Sequence, residues 1–146
     1  MDDEIQNRLQ SLRNPEASDG EKKEAAKILA NLAMDVQNKA AIAAASGIPP
    51  LVALVTSGSD SAKQDAARAL ANLAKYDQSK AAIAAAGGIP SLAALVTSGS
   101  DSAKGHAAHA LGNLARNDEN RAAIMAAGGV QAIQEMAKDG KVLVHR

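Results

Sequence analysis

Residues 48–88 read IPPLVALVTSGSDSAKQDAARALANLAKYDQSKAAIAAAGG, and residues 89–129 read IPSLAALVTSGSDSAKGHAAHALGNLARNDENRAAIMAAGG. At an offset of 41 the two stretches agree at 29 of 41 positions. Chance does not produce that agreement, so the chain is a tandem repeat. The same offset carries residues 26–47 onto the next unit: Leu29, Asn31, Leu32, Ile42 and Gly47 fall on Leu70, Asn72, Leu73, Ile83 and Gly88. A fourth start stands at Val130.

Each unit divides into three helical pieces. A short Ala-rich helix is expected over about Gln78 to Ala86, ended by Gly87-Gly88, because glycine takes the left-handed cap conformation without a Cβ clash. A second piece opens at Ile89-Pro90, with proline at the first helical position, and stops at Ser98-Gly99. Its Leu92, Leu95 and Val96 form an i, i+3, i+4 stripe. Ser100 or Asp101 then caps a longer helix reaching about Arg116. In the preceding unit that long helix carries Ala66, Ala69, Leu70, Leu73 and Ala74, a spacing that buries one face.

The ends of the chain depart from the pattern, as solenoid ends do. A helix over about Asp3 to Arg13 keeps Ile5, Leu9 and Leu12 inward and is broken by Asn14-Pro15. Near the other end Gln134 and Glu135 replace Ala93 and Ala94, which makes a polar outer surface. Residues 139–146 leave the repeat, and their Val142, Leu143 and Val144 read as a plug or as a frayed tail. The expected organisation is one solenoid over residues 1–146. It comprises a capping partial repeat at 1–47, repeats at 48–88 and 89–129, and a truncated repeat with tail at 130–146.

Composition narrows the function. Aromatic residues make up 1% of the chain, while Ala occurs 35 times, so the core needs the close backbone approach that stacked helices provide. Lys+Arg and Asp+Glu balance at 16 each, so no global field draws the chain to nucleic acid, and only Tyr76 offers a ring for base stacking. The chain contains no Cys, which excludes disulfides and thiolate chemistry and fits a cytoplasmic or nuclear protein. The first twenty residues are polar and acidic, so no secretory leader is expected. The longest apolar run, Ala40 to Ala45, falls far below the roughly 20 residues of a membrane span, and no membrane partner is expected.

Three helices in 41 residues, joined by Gly-Gly-Ile-Pro, resemble the armadillo repeat family. The motif that carries the resemblance stands as Ile28-Leu29-Ala30-Asn31-Leu32-Ala33, Ala69-Leu70-Ala71-Asn72-Leu73-Ala74 and Ala110-Leu111-Gly112-Asn113-Leu114-Ala115. The likeness extends over about residues 3–138. It implies an all-α, right-handed superhelical solenoid. It also implies a non-enzymatic module that binds an extended peptide or disordered segment in a concave groove lined by the third helices. In the family the motif Asn hydrogen-bonds the peptide backbone, which assigns Asn31, Asn72 and Asn113 to the groove. Importin-α-type members carry Trp four residues before that Asn; here Lys27, Arg68 and His109 stand there. A cationic lining favours acidic peptides, as in β-catenin-type recognition.

The central copies differ on the long helix or its end at Gln64/Gly105, Asp65/His106, Arg68/His109, Ala71/Gly112, Lys75/Arg116 and Tyr76/Asn117. These positions read as one stripe on average opposite the Leu70–Leu73 core face. The stripe is either drift on a solvated surface or a groove that selects a partner, with Lys27, Glu24, Arg68, Asp65, His109, His106, Lys75 and Arg116 supplying selectivity. The motif Asn has two readings as well: its amide satisfies a neighbouring helix terminus, or it pairs an extended chain.

His106 and His109 share a helix face with Asn113 one turn on, but a metal site needs a third strong ligand, so none is expected. His145 lies in the tail. The SGSDS segments read as helix stop and cap, and no phosphate-binding glycine loop occurs. No catalytic residues and no cofactors are expected. The rival to peptide binding is a designed, consensus-like or minimal scaffold without a native ligand. It would self-associate as a homodimer through an uncovered C-terminal end.

Overall fold

The computed structural model describes residues 2–128. Within them lie nine helices and no strand: α1 (Asp2–Arg13), α2 (Asp19–Leu32), α3 (Val36–Ala44), α4 (Ile48–Ser57), α5 (Asp60–Leu73), α6 (Asp77–Ala85), α7 (Gly88–Ser98), α8 (Asp101–Leu114) and α9 (Asp118–Ala126). The repeat start at Val130, the polar pair Gln134 and Glu135, the tail with His145 and the C-terminal dimer face lie outside the described residues. The architecture is an all-α solenoid. The triplets α3–α4–α5 and α6–α7–α8 are full units, preceded by α1–α2 and followed by α9.

The long helices start where their side chains dictate. Ser59 and Ser100 cap α5 and α8 by accepting from the N–H groups of Ala62 (3.1 Å) and Ala103 (3.2 Å). At α2, Ser18 and Glu21 form a reciprocal capping box, a signal the repeat comparison did not single out. The joint between first and second helices turns the chain by 86° in one unit and 84° in the next. Its two glycines serve different ends. Gly87 has φ 82°, which glycine reaches without a Cβ clash. Gly88 lies so close to the preceding helix that a Cβ would stand 2.5 Å from Ile83 Cγ2. Proline lies deeper in the first turn than its sequence reading: Pro49 is the second residue of α4 and Pro90 the third of α7. Both positions still lack an intrahelical acceptor for an N–H.

The core is a continuous aliphatic spine. Ile5, Leu9 and Leu12 of α1 close its first end, and Leu29, Ile42, Leu70, Ile83, Leu92 and Leu111 continue it, all buried. Between them Ala66, Ala67, Ala69 and Ala71 let α2, α5 and α8 approach closely. Burying each Leu or Ile is worth roughly 1.5–3 kcal/mol, which is how helices only 9–14 residues long hold together. Arg13 ties the first end down by donating to the carbonyls of Ala45 (2.7 Å) and Ser46 (2.9 Å) at the end of α3. No single described helix is long and apolar enough to cross a membrane.

Candidate functional site

The long helices α2, α5 and α8 are related by one repeat step, and their side chains interlock at sequence separations of 37, 41 and 42. Each helix ends with one carbonyl skipped by its own chain. In α2, Ala33 N–H bonds Leu29 O and Met34 N–H bonds Asn31 O, which leaves Ala30 O. The side-chain amide of Asn72 donates to it at 2.9 Å. In α5 the skipped oxygen is Ala71 O, and Asn113 donates to it at 3.0 Å. The amides of Asn72 and Asn113 therefore do satisfy a neighbouring helix terminus. Asn31 differs: its Oδ1 accepts from Arg68 at 3.0 Å.

The remaining candidates divide between engaged and open side chains. Arg68 is half-buried, and besides Asn31 it donates to Lys27 O at 3.4 Å. Asp65 is 7% exposed and pairs with Lys23 across the step at 3.2 Å. Glu24, Lys27, Lys75, His109 and Arg116 are exposed, and His106 is half-buried. Lys75 and Arg116 stand just past the ends of α5 and α8.

Two members of the variable stripe do not lie on an open face. Asp65 is buried, and Ala71 is 1% exposed. The reason is that α5 is flanked on both sides by long helices, so its covered arc is wider than the Leu70–Leu73 face alone. Lys23 is the residue that sequence reasoning missed. Its signal was the opposite charge 42 positions on, which appears only once neighbouring helices are superposed with a one-residue slip.

Over part of each long helix and its end the charged side chains are all basic. No Asp or Glu occurs from Lys27 to Ala33, from Arg68 to Tyr76, or from His109 to Asn117. Burial holds the His106 ring below the usual histidine range, Arg68 and His109 push it further down, and Asp65 opposes them. Burial and then Lys75 lower His109. Among the described residues no three His, Asp or Glu side chains gather as metal ligands. Two shallow hollows occur elsewhere. One of about 240 Å³ lies where Ile5 faces Ala41 and Ala45, and one of about 250 Å³ lies between α4 and α7 at Thr56 and Ser91.

The sequence matches the family model Armadillo/beta-catenin-like repeat over residues 35–75 and 77–116. No curated protein sequence matches the chain. Among solved structures, one engineered protein from the Northeast Structural Genomics Consortium is 37% identical, with a TM-score of 0.81 over 88% of this chain and 52% of its own. A second is 36% identical, with a TM-score of 0.85 over 91% of this chain and 33% of its own. A designed armadillo repeat protein in complex with the peptide (KR)4 is 25% identical, with a TM-score of 0.81 over 90% of this chain and 55% of its own. The chain thus spans about half or less of the length of the structures it matches.

Proposed function

The chain belongs to the Armadillo/beta-catenin-like repeat family, and from that premise we propose that it is a non-enzymatic module binding an extended, acidic peptide segment across α2, α5 and α8. The observation that carries this reading is the one-step relation of these helices, which repeats Asn31, Asn72 and Asn113 together with Lys27, Arg68 and His109. An extended chain crossing the helices meets an equivalent group at each step. The fold is shared with a designed relative that holds a peptide, (KR)4. That peptide is cationic, whereas the lining here is Lys, Arg and His, so the charge preference is inverted. The motif amides contribute through what their structural bonds leave over, a second N–H and an oxygen on Asn72 and Asn113. Across the three long helices of the described residues the surface is short, and affinity is weak because ordering a flexible peptide opposes binding.

The test is titration of an eight-residue peptide alternating Ser and Glu, its Gln counterpart, and a Lys-Arg peptide, followed by fluorescence anisotropy at low salt. The Glu peptide should bind at least about tenfold more tightly than the Gln peptide, the difference shrinking with added salt. Preferential capture of the Lys-Arg peptide would refute the acidic preference.

A second reading is a scaffold without a native ligand. It is favoured by the engineered origin of the similar structures and by the structural employment of the Asn72 and Asn113 amides. It predicts that none of the three peptides binds.

A further inference from the structure

The two steps between long helices use equivalent positions but close differently. At the α2–α5 step Arg68 binds Asn31 Oδ1 and Lys27 O, and Lys23 neutralises Asp65. The polar groups of that step largely satisfy one another. At the α5–α8 step His109 stands where Arg68 does, and His106 where Asp65 does. Gln64 stands where Lys23 does, so the Lys23–Asp65 ion pair has no counterpart at this step. The imidazole of His109 is shorter than a guanidinium stem and bridges to neither acceptor. Among the described residues, Asn72 Oδ1 has no partner, and the side chains of Lys75, His106 and His109 make no hydrogen bond or ion pair.

Resting on the acidic-peptide reading above, we infer that the α5–α8 step is a carboxylate subsite: Lys75 and His109 receive one acidic side chain of the bound segment, and Asn72 Oδ1 accepts a main-chain N–H beside it. The chemistry is complementary. Lys75 supplies a fixed cation and His109 a ring N–H, while the amide oxygen offers the acceptor that a carboxylate cannot provide to a backbone N–H. Arg68, at the matching place in the preceding step, reaches Asn31 Oδ1 at 3.0 Å, so His109 stands toward Asn72, and Lys75 follows Asn72 by three residues just past the end of α5; the Lys75 charge acts on His109 accordingly.

The subsite couples binding to protons. In the free chain burial and then the Lys75 charge lower the His109 pKa. A carboxylate arriving beside it compensates Lys75 and favours the imidazolium, so binding takes up a proton and strengthens as pH falls. The charges acting on His106 come from Arg68, His109 and Asp65, and the charge acting on His109 comes from Lys75. α7 carries no titratable side chain, and on α9 Asp118 pairs with Arg121 while Glu119 is exposed to solvent.

The test measures the Kd of the alternating Ser-Glu peptide at about pH 7.5 and about pH 5.8, where its carboxylates remain ionised, their unperturbed pKa being about 4.3. The full chain should bind about fivefold more tightly at the lower pH; one proton per site permits up to about tenfold per pH unit. His109→Gln should abolish that dependence, and Lys75→Gln should weaken binding several-fold at both values. Lys63→Gln, beside the hollow between α4 and α7, removes a cation of the same charge and should leave Kd and its pH dependence unchanged. Circular dichroism of each exposed-site variant checks that the helices are intact. A pH-independent Kd in the full chain, or full pH dependence retained in His109→Gln, overturns the subsite while leaving acidic-peptide binding in place. No binding of the Glu peptide at either pH overturns both.

Discussion

The side-chain amide of Asn113 donates to the main-chain oxygen of Ala71, 42 residues earlier and one helix away. The bond closes the one carbonyl near the end of α5 that the helix's own chain passes over, and Asn72 repeats it on Ala30. A residue of mediocre helix propensity is thereby kept in the last turn of a helix by what it does for the helix beside it. Two consecutive repeats are stitched at their polar edge as well as along their aliphatic spine.

Removing either amide leaves the carbonyl of a buried residue, Ala30 or Ala71, without its partner. Asn72→Ala and Asn113→Ala should each cost about 1–2 kcal/mol in urea unfolding. Asn31→Ala should cost less than about 1 kcal/mol, because Asn31 is exposed and contributes only an acceptor to Arg68. Equal losses at all three positions would show that the inter-repeat bonds carry no special weight.

The turn after the first short helix offers a contrast between copies. Gly87 and Gly128 take φ 82° and 78°, and at the matching place Ser46 is forced to φ 59°. The left-handed region costs an L residue roughly 1–2 kcal/mol, part of which is offset by the greater freedom of glycine in the unfolded chain. Ser46→Gly should therefore raise stability by about 0.5–1 kcal/mol, and Gly87→Ser should lower it by a similar amount. The Arg13 bond to Ser46 uses the main-chain oxygen and survives the exchange. Thermal melts of the two variants should move in opposite directions; a fall in both would mean that the Ser46 hydroxyl has a role of its own.

A third contrast concerns helix starts. α3 is capped by Asp35 and α9 by Asn117, through side-chain oxygens on main-chain N–H groups. α6 begins at Tyr76, which makes no such bond and instead donates its hydroxyl to Gln78. Tyr76→Asn should restore the cap and stabilise by about 1 kcal/mol. Loss of stability in that variant would show that the packing of the chain's single aromatic ring outweighs the cap.

Much of this was readable from the residues because it depends on local periodicity. The 3.6-residue spacing of Ala66, Leu70 and Leu73 specifies a buried face whatever the neighbours are, and all three are buried. Ser100 announced its own cap, and Gly87 its turn. What escaped was the relation between helices. Asp65 looked like a surface carboxylate because its burial comes from flanking helices on both sides and from Lys23, 42 positions away. The Asn amides had two physically reasonable uses, and choosing between them required knowing which carbonyl the next helix presents. One helix's pattern cannot supply that, since a slip of one residue at the step brings a different acceptor opposite.

Proton linkage at the α5–α8 step provides the last expectation. The pKa values of His106 and His109 both lie below the ordinary value of about 6.5, chiefly because burial penalises the charged ring and secondarily because cations stand nearby. The unfolded chain then binds more protons than the folded one between the folded and unfolded pKa values, so stability rises with pH across that window. The contribution is complete above about pH 6.5 and is lost as pH falls toward the folded values. Melting temperature should decline from about pH 7 to about pH 5 in the native sequence, and more gently in a His106→Gln, His109→Gln variant. The difference between the two curves reports the imidazoles and their interactions. Superimposable curves would mean that the rings are as comfortable charged in the folded chain as in water, which the half-buried position of His106 and the nearby charges of Arg68 and Lys75 argue against.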